Sequence, residues 1–286
     1  MLCFTADQQD GRRVLQIQEA GFMRIAQIQS HVYEDKQRNL DMLAGKLDRL
    51  DSEAVDLVTV GEMFTTPYET SCFPRYAEPE GGMSWRQLSD LAKTHRIYLS
   101  AGSIPEVDAE GRVYNTAYVF DREGRQIAKH RKAHLFDIDV EGGQRFRESD
   151  TLTAGTAATV FDTEFCTMGI CICFDCRFPE MVREMVLSGA KVVLVPASFN
   201  MTTGPAHWEL MFRSRAVDNQ CYMIGTSDAR DPSFSYVSWG HSMVVSPWGD
   251  VVAEMDEKEG VQITDLDLAL VDKVRRELPL LQAFRK

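Results

Sequence analysis

Cys173 is the residue around which chemistry can be built. It lies in Gly169-Ile170-Cys171-Ile172-Cys173-Phe174-Asp175-Cys176-Arg177-Phe178-Pro179-Glu180, which reads as the end of a buried strand, a tight polar turn and the first turn of a helix. A thiol in that position sits at the rim of a parallel sheet, where ligand crevices form. The helix N-terminus beyond it is expected to favour the thiolate. Asp175, Arg177 and Glu180 follow at once; they either serve a site or form a capping and ion-pair cluster at the helix start. Taken alone, a buried cysteine is ordinary packing material.

A thiol nucleophile needs a base and a stabiliser for the oxyanion. None of the six histidines stands out as a partner: His207 falls near a helix start and His241 in a hairpin, both compatible with structural roles. Glu62 ends the apolar run Asp56–Gly61, where a carboxylate is costly unless it is used or paired. Lys132 ends another strand, in Lys129-His130-Arg131-Lys132-Ala133-His134; a charged surface edge is the competing explanation there.

Cys166, Cys171 and Cys176 surround the nucleophile candidate, and Cys-x-Cys-x2-Cys has a metal-like look. Strand geometry turns Cys171 and Cys173 to one face and Cys166 to the other, and no second Cys/His pair stands at finger spacing. No metal is expected, and the three extra cysteines read as small buried fillers. A non-enzymatic metal or redox protein built on the cluster would have no use for Glu62 or Lys132.

The elements that must position these residues alternate in type. Strand Arg24–Gln29 precedes a helix over Asp35–Leu50, with Leu40, Leu43, Leu47 and Leu50 on one face. Strand 56–62 leads into a long loop, Met63–Pro79, rich in Thr, Pro and aromatics, as site-building loops often are. Ser84 is expected to cap a helix from Trp85 to about Thr94. Strands follow at Ile97–Ser103, Val113–Phe120 and Ile127–Lys132, and 133–158 reads as irregular and charged. From 159 the order repeats: strand, helix Pro179–Ser188 with Gly189 as its stop, strand Lys191–Ala197, helix 206–219 and strand Cys221–Ser227. Hairpin strands through Met243, Val251 and Ile263 complete the chain. Two such halves pack most simply as two sheets face to face with helices outside, a four-layer α-β-β-α sandwich of the α/β class.

The 286 residues suffice for one large domain, here 23–286, preceded by a polar stretch, 1–22, read as a loose extension. A formal charge of −12 argues against a nucleic-acid surface. No apolar run approaches the ~18–20 residues of a membrane span, and Met1–Phe22 lacks a secretory apolar segment. Seven cysteines, mostly in strand-like sequence, suggest reduced thiols and a cytoplasmic protein.

Three separated motifs together resemble the nitrilase superfamily, the carbon–nitrogen hydrolases with a Glu-Lys-Cys triad: Val60-Gly61-Glu62-Met63-Phe64, His130-Arg131-Lys132-Ala133-His134-Leu135-Phe136 and Ile172–Glu180. The stretches Phe199–Leu210, Arg213–Gln220 and Ser235–Ser242 look like the omega-amidase branch, which acts on monoamides of dicarboxylic keto acids. Phe174 departs from the Tyr usual after the cysteine, although its backbone N–H can still serve. The resemblance implies the sandwich fold, no cofactor, a small amide substrate such as 2-oxoglutaramate or 2-oxosuccinamate, and a homodimer or higher homo-oligomer. Neighbouring activities in the superfamily are deaminated-glutathione amidase and N-carbamoyl amide hydrolase. By the same resemblance Glu62 is the base, Cys173 the nucleophile, and Lys132 with the Phe174 N–H the oxyanion donors. Glu148 would orient Lys132. Arg177 is the leading carboxylate anchor, with Tyr68, Phe199 and Thr203 lining the pocket; an ion pair to Glu180 or Asp175 is the competing role for Arg177.

Overall fold

The apolar runs become strands of two sheets in the computed structural model, which describes residues 21–142 and 144–284. The first sheet receives β1 (Phe22–Gln29), β2 (Leu57–Val60), β3 (Tyr98–Ser100), β4 (Ile104–Val107), β5 (Val113–Phe120) and β6 (Gln126–Arg131). A small hairpin, β7 (Asp137–Asp139) and β8 (Arg145–Arg147), interrupts the stretch expected to be irregular. The second sheet holds β9 (Thr159–Asp162), β10 (Thr167–Ile170), β11 (Val192–Ala197), β12 (Tyr222–Ser227), β13 (Met243–Val245) and β14 (Val251–Glu254). Then β15 (Gly260–Asp267) crosses back, so the first sheet runs β15-β1-β2-β3-β5-β4 with β6 on β5, and the second β14-β13-β12-β11-β10-β9.

Each sheet has a parallel centre, β1-β2-β3 in one and β10-β11-β12 in the other. Parallel strands are covered on both faces, which is why β2 and β11 are buried at every position. The two faces of β1 show the layering. Met23 and Ile25 join the core shared with β10–β12, while Ala26 and Ile28 join a core with Leu40, Leu43 and Leu47 of α1 (Lys36–Leu50). A short α2 (Phe73–Tyr76) is followed by α3 (Met83–His95), which contributes Leu88 and Ala92 to that second core. On the far side α4 (Pro179–Leu187) and α5 (Gly204–Asn219) pack Met181, Val182, Trp208 and Phe212 against the second sheet. The result is the α-β-β-α sandwich. Near the C-terminus lie α6 (Leu268–Glu277) and α7 (Leu280–Ala283).

Three expectations about elements are corrected. Ile263 does not extend the hairpin sheet: it pairs with Ala26, and β15 covers what would otherwise be the open edge of β1. Ser84 is not the cap of α3, which has Gly82 at that position. The Glu78 carboxylate does the capping instead, accepting the Ser84 N–H and hydroxyl at 2.8 Å each. And α5 starts at Gly204, two residues early, with Pro205 in its first turn. Phe22, the last residue of the assigned extension, already belongs to β1; residues 1–20 of that extension lie outside the described residues. Among the described residues no helix is long and apolar enough to cross a membrane.

Candidate active site

Glu62, Lys132, Cys173 and Glu148 each stand just beyond a strand: β2, β6, β10 and β8 respectively. Glu62, Lys132 and Glu148 are fully buried and Cys173 nearly so. Lys132 Nζ donates to Glu62 Oε1 at 2.7 Å and to Glu148 Oε1 at 2.9 Å. Glu62 also accepts from Asn115 Nδ2 at 2.8 Å and from the Ser198 N–H at 3.0 Å. Glu148 accepts the Phe136 N–H at 2.7 Å, and the Tyr68 hydroxyl reaches both carboxylates, at 2.7 Å and 3.1 Å. Every buried charge is therefore paired and hydrogen-bonded, as a water-poor site requires.

Cys173 opens a 3-10 turn, Cys173–Arg177, with φ of +44°, a left-handed conformation that costs a side-chain-bearing residue about 1–3 kcal/mol. The Asp175 carboxylate helps to hold it there. It accepts the Ile172 N–H at 3.1 Å, while the Asp175 N–H returns to the Ile172 carbonyl at 2.9 Å. The same carboxylate accepts from His130 Nε2 at 2.9 Å, from His134 Nδ1 at 2.8 Å, and from the N–H groups of Ala133 and His134. One side chain thus fastens the turn carrying the thiol to the strand end carrying Lys132, gripping it on both sides. Gly155 secures the other side of that strand end: its N–H donates to the Lys132 carbonyl at 2.8 Å, and a Cβ would stand 2.1 Å from the Arg131 carbonyl oxygen.

The electrostatics correct one expectation. Burial, and then the Glu62 carboxylate, push the Cys173 thiol well above its ordinary value, so the resting site holds a thiol rather than a helix-stabilised thiolate. Burial would lower Lys132, but Glu148 and Glu62 outweigh it and keep the ammonium charged. Burial, reinforced by Glu62, raises Glu148 against the pull of Lys132. Burial would also raise Asp175, yet the hydrogen bonds from His130 and His134 hold it well below the usual carboxylate range. Asp228 is a further buried carboxyl: a Cβ on Gly61 would stand 2.1 Å from its Oδ1. Burial, then Glu62, raise it well above the ordinary aspartate value.

The other cysteines are packing. Burial pushes the Cys166 and Cys176 thiols up to about 12, and Cys171 well above its ordinary value. Among the described residues the only trio of side chains gathered closely enough to hold a metal ion is Asp48, Asp51 and His95, and it contains no cysteine.

On the open side of Cys173 the Arg177 guanidinium lies 4.7 Å from the Phe199 ring and 5.6 Å from the Phe174 ring. Its Nη1 donates to His207 Nδ1 at 3.2 Å, and its buried Nε has no partner. Among the described residues it forms no ion pair with Glu180 or Asp175, whose carboxylate is spent on the two histidines. The Tyr68 hydroxyl stands between the Glu62 and Glu148 carboxyl groups, its ring 4.4 Å from that of Tyr236. Thr203 turns its hydroxyl to Asn200 Oδ1 at 3.0 Å and shapes the turn before α5. Sequence reasoning missed Asn115, Ser198 and Asp228, which carry no local signal, and gave Tyr236 no role although it lies within Ser235–Ser242. His130 and His134 did carry one: both flank Lys132 in a motif already singled out.

Two face-to-face sheets bring a buried Glu-Lys-Cys cluster together at their strand ends, in an α-β-β-α sandwich. Comparison narrows this. The carbon–nitrogen hydrolase family profile matches residues 23–276, and the chain belongs to that family, as an enzyme of the nitrilase superfamily's omega-amidase-like branch. Omega-amidase NIT2 of Homo sapiens is 44% identical over 262 residues, 92% of this chain and 95% of that protein. Nitrilase homolog 2 of Dictyostelium discoideum is 42% identical over 279 residues, covering 97% and 85% respectively. Among solved structures, Saccharomyces cerevisiae Nit3, described as a member of branch 10 of the nitrilase superfamily, superposes with a TM-score of 0.84 at 38% identity, covering 91% of this chain and 95% of that one.

Proposed function

We propose that the protein hydrolyses the terminal amide of dicarboxylic acid monoamides, with 2-oxoglutaramate and 2-oxosuccinamate as preferred substrates, releasing the acid and ammonia. One observation carries the reading beyond amide hydrolysis in general. Four residues from the nucleophile stands a guanidinium with no carboxylate partner among the described residues and an unsatisfied buried Nε. A substrate carboxylate is the planar acceptor such a fork suits. The omega-amidase relatives point the same way.

In the proposed mechanism the thiol proton of Cys173 passes to Glu62 as Sγ attacks the amide carbonyl carbon. The Lys132 ammonium and the Phe174 N–H, which stands in the first turn where helical geometry leaves donors free, stabilise the oxyanion. Losing one such donor typically costs about 3–4 kcal/mol. Collapse expels ammonia with the proton held by Glu62, leaving a thioester on Cys173. Water, deprotonated by the same carboxylate, then attacks the thioester; the acid leaves and the thiol is restored. Glu148 and Tyr68 hold the ammonium on its line throughout. No cofactor takes part. The buried free thiols suit a reducing cytoplasm.

The decisive measurement is ammonia release from 2-oxoglutaramate. It is expected to vanish in Cys173→Ala and to withstand chelators. Failure to release ammonia from any four- or five-carbon monoamide would sink the reading.

A further inference from the structure

The proposed mechanism leaves His207 unused, yet it is the one hydrogen-bond partner that the described residues give the Arg177 side chain. A guanidinium only donates. As a hydrogen bond, the 3.2 Å contact from Nη1 to His207 Nδ1 calls for a lone pair on Nδ1, which the imidazole tautomer with its proton on Nε2 supplies. His207 is itself held in place. It lies in the first turn of α5, its N–H bonded to the Thr203 carbonyl at 2.9 Å, and it directly precedes Trp208, whose ring packs edge-on to Phe199 at 5.0 Å.

The choice of partner has a consequence. A carboxylate at this point would orient the arginine but also neutralise it, and an acidic substrate would have to compete for the same fork. A neutral imidazole takes one N–H, leaves the positive charge undiminished, and with Phe199 and Phe174 on the guanidinium faces allows the side chain few other positions. The remaining donors, among them the buried and unpartnered Nε, stay available.

We propose that His207 is a positioning residue for specificity: as a neutral acceptor it aims Arg177 at the substrate's distal carboxylate without discharging it. The inference rests on the carboxylate-anchor role of Arg177.

The test uses the full chain and two substrates, succinamate and the neutral butanamide, with KM and kcat measured for each in wild type, Arg177→Met, His207→Leu, His207→Asn and His207→Glu. In His207→Leu the KM for succinamate should rise about tenfold or more, the scale of one hydrogen bond to a charged group, with KM for butanamide and kcat moving far less. His207→Asn, whose amide oxygen replaces the Nδ1 acceptor, should recover most of that loss. His207→Glu should not, because it restores an acceptor but pairs with the arginine. A parallel rise for both substrates in His207→Leu, or full recovery by His207→Glu, would overturn the inference while leaving Arg177 in its role. If Arg177→Met raises KM equally for both substrates, the anchor reading fails first and takes the inference with it.

Discussion

At the scale of single residues, the site solves one problem: keeping three carboxyl groups and one ammonium in a buried space. Glu62 and Glu148 share Lys132, so two carboxyl groups gather on one central cation within 2.9 Å of each. In the proposed mechanism Glu62 accepts the Cys173 proton, since burial and Glu62 push the thiol well above its ordinary value. Glu62→Gln keeps one acceptor oxygen for Asn115 and Lys132 but must turn its amide N–H toward the Ser198 N–H, so a modest fall in Tm is expected beside a drop in kcat of roughly a thousandfold, within the range for a lost general base; ammonia release beside a thermal melt separates the two effects. Asp228 answers differently, with a carboxyl that burial pushes well above its ordinary value. Its folded pKa lies above the unfolded one, so it favours the folded state fully only below about pH 4 and withdraws that support as pH rises through the folded value. Asp228→Asn, close in shape and without charge, should therefore raise Tm near pH 7–8 and leave it almost unchanged near pH 4. An unaltered or lower Tm at neutral pH would show that the carboxyl is ionised in the fold.

At the scale of elements, the proposed catalysis depends on bringing the end of β6 to the turn after β10, and Asp175 makes that join. Its carboxylate receives five hydrogen bonds from Ile172, His130, Ala133 and His134. Asp175→Asn must turn a donor toward one of these donors, and hydrogen bonds to a charged group are worth about 1.5–3 kcal/mol each. A loss of several degrees in Tm is expected, together with a fall in kcat larger than the change in KM, because Lys132 and Cys173 lose their common anchor. The sign with pH is also fixed. Asp175 has a lowered folded pKa, so its stabilisation is full above about pH 4, the ordinary aspartate value, and fades as pH falls toward the folded one; the variant should lack that acid limb. How much was legible follows the same division. Strand ends and the motifs at Glu62, Lys132 and Cys173 are local, written in apolar runs and the residues that close them. The partners of Asp175 lie 41 to 45 residues away, and those of Glu62 include Ser198 at 136; no periodicity announces such pairs. The return of β15 to β1 was hidden for the same reason, since its half-exposed alternation suits an edge of either sheet.

At the scale of the whole molecule, the sandwich covers each sheet with helices but leaves α5 with apolar residues on both sides. Trp208, Phe212 and Ala216 face the second sheet, while Leu210 is 60% exposed and Val217 42%, beside Trp248 at 57%. Leu210, Val217 and Trp248 border one surface depression with Pro205 and Ala206. Glu209, Arg213 and Asp218 line the same depression, so the apolar side chains around Trp248 sit within a charged rim, and this face is the one proposed for contact between copies. The homodimer implied by the family resemblance needs such a face, and a twofold axis through it would set α5 against its own copy. The patch also borders function: α5 carries His207 in its first turn, and the turn before it holds Thr203 and Asn200, so a partner packed on the helix would steady the wall next to Arg177. Leu210→Asp, placed at the most exposed apolar position of the helix, should leave the monomer fold intact because the side chain contributes nothing to the core. It should convert a dimer to a monomer in sedimentation or size-exclusion measurements with light scattering, and raise KM more than it lowers kcat. A wild-type protein that sediments as a monomer at micromolar concentration, or a Leu210→Asp variant that remains fully dimeric, would remove α5 as the contact between copies.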